Sequence, residues 1–165
     1  MVQKELKENA FLQSLFNKVI LYRFTRNLDK MLGDRKISHA ELSGNTGRSG
    51  NWFNRTFNEM EDMRVTTFLK TLSAINKIVD GNDKFQHAEV DAVLDEELFR
   101  IASFSIDLSM NDVEHLVQND ADIRKFFLDI RFYVDSLKAL DGKLSDDELV
   151  AYERILTLIN TERKK

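Results

Sequence analysis

A chain of 165 residues, 42% of them apolar, has the length of one domain or two very small ones and enough apolar surface for a packed core. The absence of Cys excludes a disulfide scaffold, thiolate metal clusters and thiol nucleophiles, and an unbroken apolar run no longer than Val19 to Tyr22 is too short to span a membrane. The net charge of −4 is unevenly spread: residues 1–82 hold 13 basic and 9 acidic side chains, residues 83–165 hold 11 and 19. There is no Pro, and four of the six Gly are at 33, 44, 47 and 50. An all-β fold needs turn residues every 8–12 positions, so an all-α fold is expected, with its punctuation concentrated around residues 33–50.

The first helix is expected from about residue 4 to Leu32. Its stripe of Leu12, Leu15, Phe16, Val19, Phe24, Leu28 and Met31 recurs at three- and four-residue steps, with a possible break near Asn17, and Gly33-Asp34 ends it. Ser38-His39-Ala40-Glu41 fits the S-x-x-E capping box and opens a short helix, because Gly44 and Gly47 follow at once. Ser49 is a second candidate cap, ahead of Trp52, Phe53, Thr56 and Phe57. After a loop near Asn58–Arg64, Thr66 or Thr67 starts a helix burying Phe68, Leu69, Leu72, Ile75 and Ile78, and Gly81-Asn82-Asp83 marks the expected boundary between domains 1–82 and 83–165. Four helices are expected beyond it, at about Ala88–Ser103, Met110–Gln118, Asp122–Leu140 and Ser145–Glu162, the last opened by the capping box Ser145 to Glu148. In the third, Phe126, Phe127 and Tyr133 share a broad face and Phe132 falls off it, which suits a helical core or a surface that meets a partner.

Between Met31 and Ile78 the order is capped helix, Gly-containing turn, second short helix, polar loop and amphipathic helix. A helix-turn-helix needs this grammar: the first helix buttresses, Gly sets the angle of the turn, and the second helix presents polar side chains to the major groove. The turn would be Thr46-Gly47-Arg48.

The runs Ile37-Ser38-His39-Ala40-Glu41-Leu42-Ser43, Thr46-Gly47-Arg48-Ser49, Phe53-Asn54-Arg55 and Phe57-Asn58, with the later Thr67-Phe68-Leu69-Lys70-Thr71-Leu72-Ser73-Ala74-Ile75, resemble the phage Cro/repressor type of helix-turn-helix, over about residues 17–80. The resemblance implies an N-terminal helix-turn-helix domain that binds double-stranded DNA, followed by a C-terminal helical bundle. It places His39 where the family has a Gln that contacts phosphate, Ser49 at the cap of the recognition helix, Gly50, Asn51, Asn54 and Arg55 at groove-facing positions, and Asn58 where the loop nears the backbone. Asn pairs bidentately with adenine and Arg with guanine or a phosphate. Arg48, Asn51, Asn54 and Arg55 could be no more than a solvated face, but groove contact is the favoured reading, because that stretch is nearly free of acid until Glu59. Arg23, Arg26, Lys30, Arg35 and Lys36 are candidate phosphate contacts from the preceding helix.

Asp141-Gly142-Lys143-Leu144-Ser145 with Glu148 imitates half a calcium loop, but Leu137 and Ala139 stand where its first oxygen ligands belong. His39, His87 and His115 have no metal spacing, and no nucleophile elbow, phosphate-cradling Gly loop or H-E-x-x-H occurs. The sequence therefore implies no enzyme, no metal and no cofactor. It implies a DNA-binding transcriptional regulator, a repressor of phage or bacterial type, acting as a homodimer on an operator, with the acidic half dimerising it or receiving a signal. The first 16 residues do not read as a secretory signal, so a cytoplasmic location is expected. The rival reading is a protein-binding inhibitor or adaptor that keeps the scaffold and uses its acidic half to occupy a basic protein partner. Negative charge at Glu59, Glu61 and Asp62 in the loop that should approach phosphate suits that rival.

Overall fold

The apolar stripe of the first segment continues without interruption through Asn17, and in the computed structural model one helix, α1 (Val2–Asp34), carries it for 33 residues. The structure describes residues 2–80, 90–106, 109–140 and 142–164. All elements are helical, with no strand among the described residues. No helix among them is long and apolar enough to cross a membrane. After α1 come α2 (His39–Asn45), α3 (Trp52–Glu59), α4 (Val65–Asp80), α5 (Val90–Val93), α6 (Glu96–Ser105), α7 (Met110–Asn119), α8 (Ala121–Asp129), α9 (Arg131–Ala139) and α10 (Asp146–Arg163).

Packing divides the chain into two units, Leu21–Phe99 and a second made of Met1–Ile20 with Arg100–Lys165. The expected boundary at Gly81-Asn82-Asp83 lies outside the described residues. The first twenty residues thus belong with the C-terminal segment and not with the helices that follow them. Counted by unit, the charge asymmetry of the sequence disappears: Leu21–Phe99 holds 11 basic and 13 acidic side chains, the other unit 13 and 15.

In the unit Leu21–Phe99, α1 ends at Asp34 by a Schellman arrangement. The Lys36 N–H returns to Gly33 O at 3.1 Å and the Ile37 N–H to Leu32 O at 2.9 Å. The left-handed position this needs is filled by Lys36 (φ 57°) and not by Gly33. α2 ends the same way, with Gly47 at φ 74° and Arg48 N–H bonded to Ser43 O at 3.2 Å. The core gathers Leu28 and Leu32 of α1, Leu42 of α2, Phe53 of α3 and Ile75 of α4, with Val93 of α5 against them. Leu69, expected on the buried side of α4, is 53% exposed.

The helix expected over Ala88–Ser103 is broken at Leu94-Asp95; its residues 88 and 89 lie outside the described residues. Asp95 caps α6 by accepting from Leu98 N–H at 3.0 Å, and α1 holds it there through Arg23 at 2.7 and 3.2 Å and Asn27 at 3.1 Å. Burial would raise the Asp95 carboxyl. The Arg23 hydrogen bond, the Leu98 N–H, the charge of Arg23 and the Asn27 amide outweigh it and hold the group below its ordinary range.

In the other unit α10 packs on α7 and α8. The buried Tyr152 donates to Phe127 O at 2.8 Å, and desolvation pushes its phenol well above the ordinary range. The segment Asp122–Leu140 is two helices rather than one. Asp120 caps α8 by accepting from Asp122 N–H at 2.9 Å, and Ile130, at ψ −9°, separates it from α9. Phe126 and Phe127 are buried and Phe132 is 69% exposed. Ser145 caps α10 as expected, accepting from Glu148 N–H at 3.2 Å. The Glu148 carboxylate is buried and takes Lys18 Nζ at 2.7 Å on Oε1, while its Oε2 has no hydrogen-bond partner.

Candidate functional site

Two short helices and their turn set the site. Ser38 caps α2 by accepting from Glu41 N–H at 3.1 Å, and Leu42 and Ser43 are buried beneath it. Thr46 Oγ1 donates to Ser43 O at 2.7 Å and tightens the turn at Gly47, so that the chain re-enters α3 across Trp52. An α-helix leaves its first N–H groups without partners. Ser49, expected to satisfy them, does not: its carbonyl accepts from Trp52 N–H at 3.0 Å, and the cap position belongs to Asn51, which makes no side-chain cap bond. The oxygen comes from the neighbouring helix. Buried Ser43 Oγ accepts from Phe53 N–H at 2.9 Å while donating to His39 O at 2.8 Å. The orphan donor of α3 is thus satisfied by α2, which fixes one helix against the other.

α3 buries Trp52, Phe53 and Thr56 and exposes Asn51, Asn54, Arg55 and Asn58, the residues one helical turn apart on its other side. Its C-terminal end is closed by Met60 in the left-handed region (φ 52°), with Glu61 N–H returning to Thr56 O at 3.2 Å. His39 is half-buried. Its Nε2 lies 2.6 Å from Asp29 Oδ1, its Nδ1 lies 3.3 Å from Asn54 Oδ1, and Asn54 Nδ2 donates to Asn51 Oδ1 at 3.4 Å. Three residues of the expected site, His39, Asn54 and Asn51, are therefore joined, and Arg55 and Asn58 extend the same stripe.

Arg48 turns elsewhere. Its guanidinium lies 4.5 Å over the Trp52 ring and donates to Thr67 Oγ1 at 3.4 Å, on the rim of a cleft of about 380 Å³ shared with Arg64, Lys70 and Glu61. Among the basic residues of α1, Arg26 stacks over Tyr22 and Phe57 at 4.9 and 4.7 Å. Arg23 is committed to Asp95, and Lys30 pairs with Asp34 at 2.9 Å. Arg26, Arg48, Arg55, Arg64 and Lys70 have no carboxylate within ion-pair distance among the described residues. The exposed side of α3 thus offers the amides of Asn51, Asn54 and Asn58 with the Arg55 guanidinium, while the cations of the neighbouring cleft share it with Glu61 and Asp62; amides and a guanidinium suit planar hydrogen-bonding edges and anions.

Sequence reasoning missed Ser43 and Asp29. A Ser inside a predicted helix has no local mark of capping a different helix. Asp29 lies ten residues before His39 on a different helix, and it meets His39 only once the turn between α1 and α2 has formed. Comparison with protein-family models, characterised proteins and solved structures finds no match to this chain.

Proposed function

We propose that the chain is a sequence-specific double-stranded-DNA-binding regulator, with α2, the Gly47 turn and α3 as its helix-turn-helix and α3 as the helix that enters the major groove. The observation that carries this reading is the exposed stripe Asn51, Asn54, Arg55 and Asn58, set on a helix whose opposite face is locked into a core by Phe53 and whose N-terminus is tied to α2 by Ser43. Arg55 supplies a fork for guanine or phosphate, Asn51 and Asn54 supply amides for adenine, and Arg26, Arg48 and Lys70 supply charge for the phosphates. The segment from Leu21 to Asp80 holds 10 basic and 7 acidic side chains, a local excess in the sense this reading needs. In the same reading the Arg100–Lys165 segment joins two copies on a two-fold operator with half-sites roughly 34–36 Å apart. The exposed Phe132 is the side chain we place at that contact.

The test is selection of genomic fragments by the purified full chain at near-physiological salt, followed by footprinting. One short near-palindromic sequence, lost with Arg55→Ala, is the expected result. Retention that is blind to sequence, or no retention, rejects the operator reading.

A further inference from the structure

His39 stands midway along a line of polar contacts from α1 to the exposed side of α3: Asp29 Oδ1 at 2.6 Å from Nε2, Asn54 Oδ1 at 3.3 Å from Nδ1, and Asn51 Oδ1 accepting from Asn54 Nδ2 at 3.4 Å. The rings of Phe53, edge-on at 4.8 Å, and Phe57, at 5.4 Å, hold the imidazole plane. In the imidazolium form both ring nitrogens donate, one to the Asp29 carboxylate and one to the Asn54 amide oxygen, since each of these only accepts. The charged groups around it are few. Asp29 of α1 is its anion, and Arg26 of α1 lies 4.7 Å over the Phe57 ring that flanks the imidazole. Glu41 on α2 and Arg55 and Glu59 on α3 make no hydrogen bond or ion pair with the ring among the described residues.

The neutral imidazole keeps one N–H. Asp29 retains it, because an ionised acceptor holds a donor more strongly than a neutral amide does. Nδ1 then becomes an acceptor facing Asn54 Oδ1, another acceptor. An Asn amide relieves such a clash by turning over, which exchanges its oxygen and NH2 with almost no change of shape. Turned over, Asn54 donates to Nδ1 and presents its oxygen to Asn51, whose own amide must turn to donate.

We propose that His39, oriented by Asp29, is a positioning residue whose protonation sets the donor–acceptor polarity of the Asn54 and Asn51 amides on the exposed side of α3, and through them the base edge that this side accepts. The last step rests on the DNA reading above; the relay does not. Adenine offers an N6 donor beside an N7 acceptor, and reversing the amide sets donor against donor and acceptor against acceptor.

The first experiment needs no DNA. In the isotopically labelled full chain, the His39 ring and the side-chain NH2 groups of Asn51 and Asn54 are followed by NMR from about pH 5 to about pH 8, the range in which histidine side chains change charge. Both amides are expected to move with the same midpoint as the ring, and His39→Gln to abolish that shared transition. Amides that stay flat through the ring titration, or that move with a different midpoint, overturn the relay, since a histidine that only packs would leave them still. The second arm uses fragments enriched in the selection above and copies of them changed at one contacted base pair. The affinity ratio of each pair is expected to change roughly 5- to 150-fold between acid and alkaline ends in the wild type and to stay constant in His39→Gln. A constant ratio in the wild type, with amides that titrate, overturns the base-edge step. Failure to enrich any fragment rejects the operator reading and this step together, while the amide titration still decides the relay.

Discussion

The bond from α2 to the start of α3 can be tested by deleting one oxygen. Ser43 is fully buried, and its Oγ is the partner of the Phe53 N–H at 2.9 Å in a place water does not reach. Ser43→Ala leaves that N–H without an acceptor, and a buried orphan donor costs about 1–3 kcal/mol. The His39 carbonyl that loses the hydroxyl sits in α2, where the helical ladder still serves it, so the penalty falls on Phe53. With a urea slope of roughly 1–2 kcal/mol/M for a unit of this size, the unfolding midpoint should fall by about 0.5–3 M. Trp52 is the single Trp, is buried and neighbours Phe53, so its fluorescence reports this unit selectively. Asn51→Ala is the control. The residue at the formal cap makes no cap bond, so its removal should cost under about 0.5 kcal/mol, where a working Asn cap would cost about 1 kcal/mol. Hydrogen exchange should also speed up at the Phe53 amide in Ser43→Ala alone. The reasoning is refuted if Ser43→Ala is neutral, or if Asn51→Ala proves the more damaging of the two.

Three further outcomes follow from the packing. Lys18→Met strips the cation from the buried Glu148 carboxylate. Because Lys18 is itself about one-third exposed, a loss of about 2–3 kcal/mol by denaturation is expected, most of it regained in Lys18→Met/Glu148→Leu. Since folding lowers the Asp95 carboxyl below its ordinary 3.8, its stabilisation is complete above that value and vanishes as pH falls through the lowered folded-state value. Asp95→Asn should accordingly be less stable than wild type near neutrality and show a shallower acid limb when urea midpoints are measured against pH. Lys36→Gly, which relieves a left-handed non-glycine residue on the surface, should raise stability by about 0.5–1 kcal/mol in the same assay.

The sequence carried whatever is written locally. The stripe of α1, the caps Ser38 and Ser145, the Gly47 turn and the exposed side of α3 all follow from spacing and from the conformational cost of particular residues. What escaped it is non-local. The break at Asp95 exists because Arg23 and Asn27, about seventy residues earlier, hold that carboxylate at the start of α6. Ser49 looked like the cap because it sits at the right distance from Trp52, but Ser43 reaches the same N-terminus from another helix. Cutting the chain at residue 82 separates Asp91, Asp95, Glu96 and Glu97 from the unit Leu21–Phe99, and the asymmetry of charge read from the sequence depends on that cut.

The discontinuous unit has a consequence for synthesis. Leu12, Leu15, Phe16 and Val19 leave the ribosome well before the segment beyond Arg100 with which they pack; the Ser14–Glu148 contact spans 134 positions. Residues Leu21–Phe99 are all synthesised while that apolar stripe is still waiting for its partners. Late closure of this kind is slow, because a long loop must be ordered before its contacts are gained. That stripe is thus exposed on the nascent chain for the whole of this interval, an adhesive surface of the kind on which a chaperone would act.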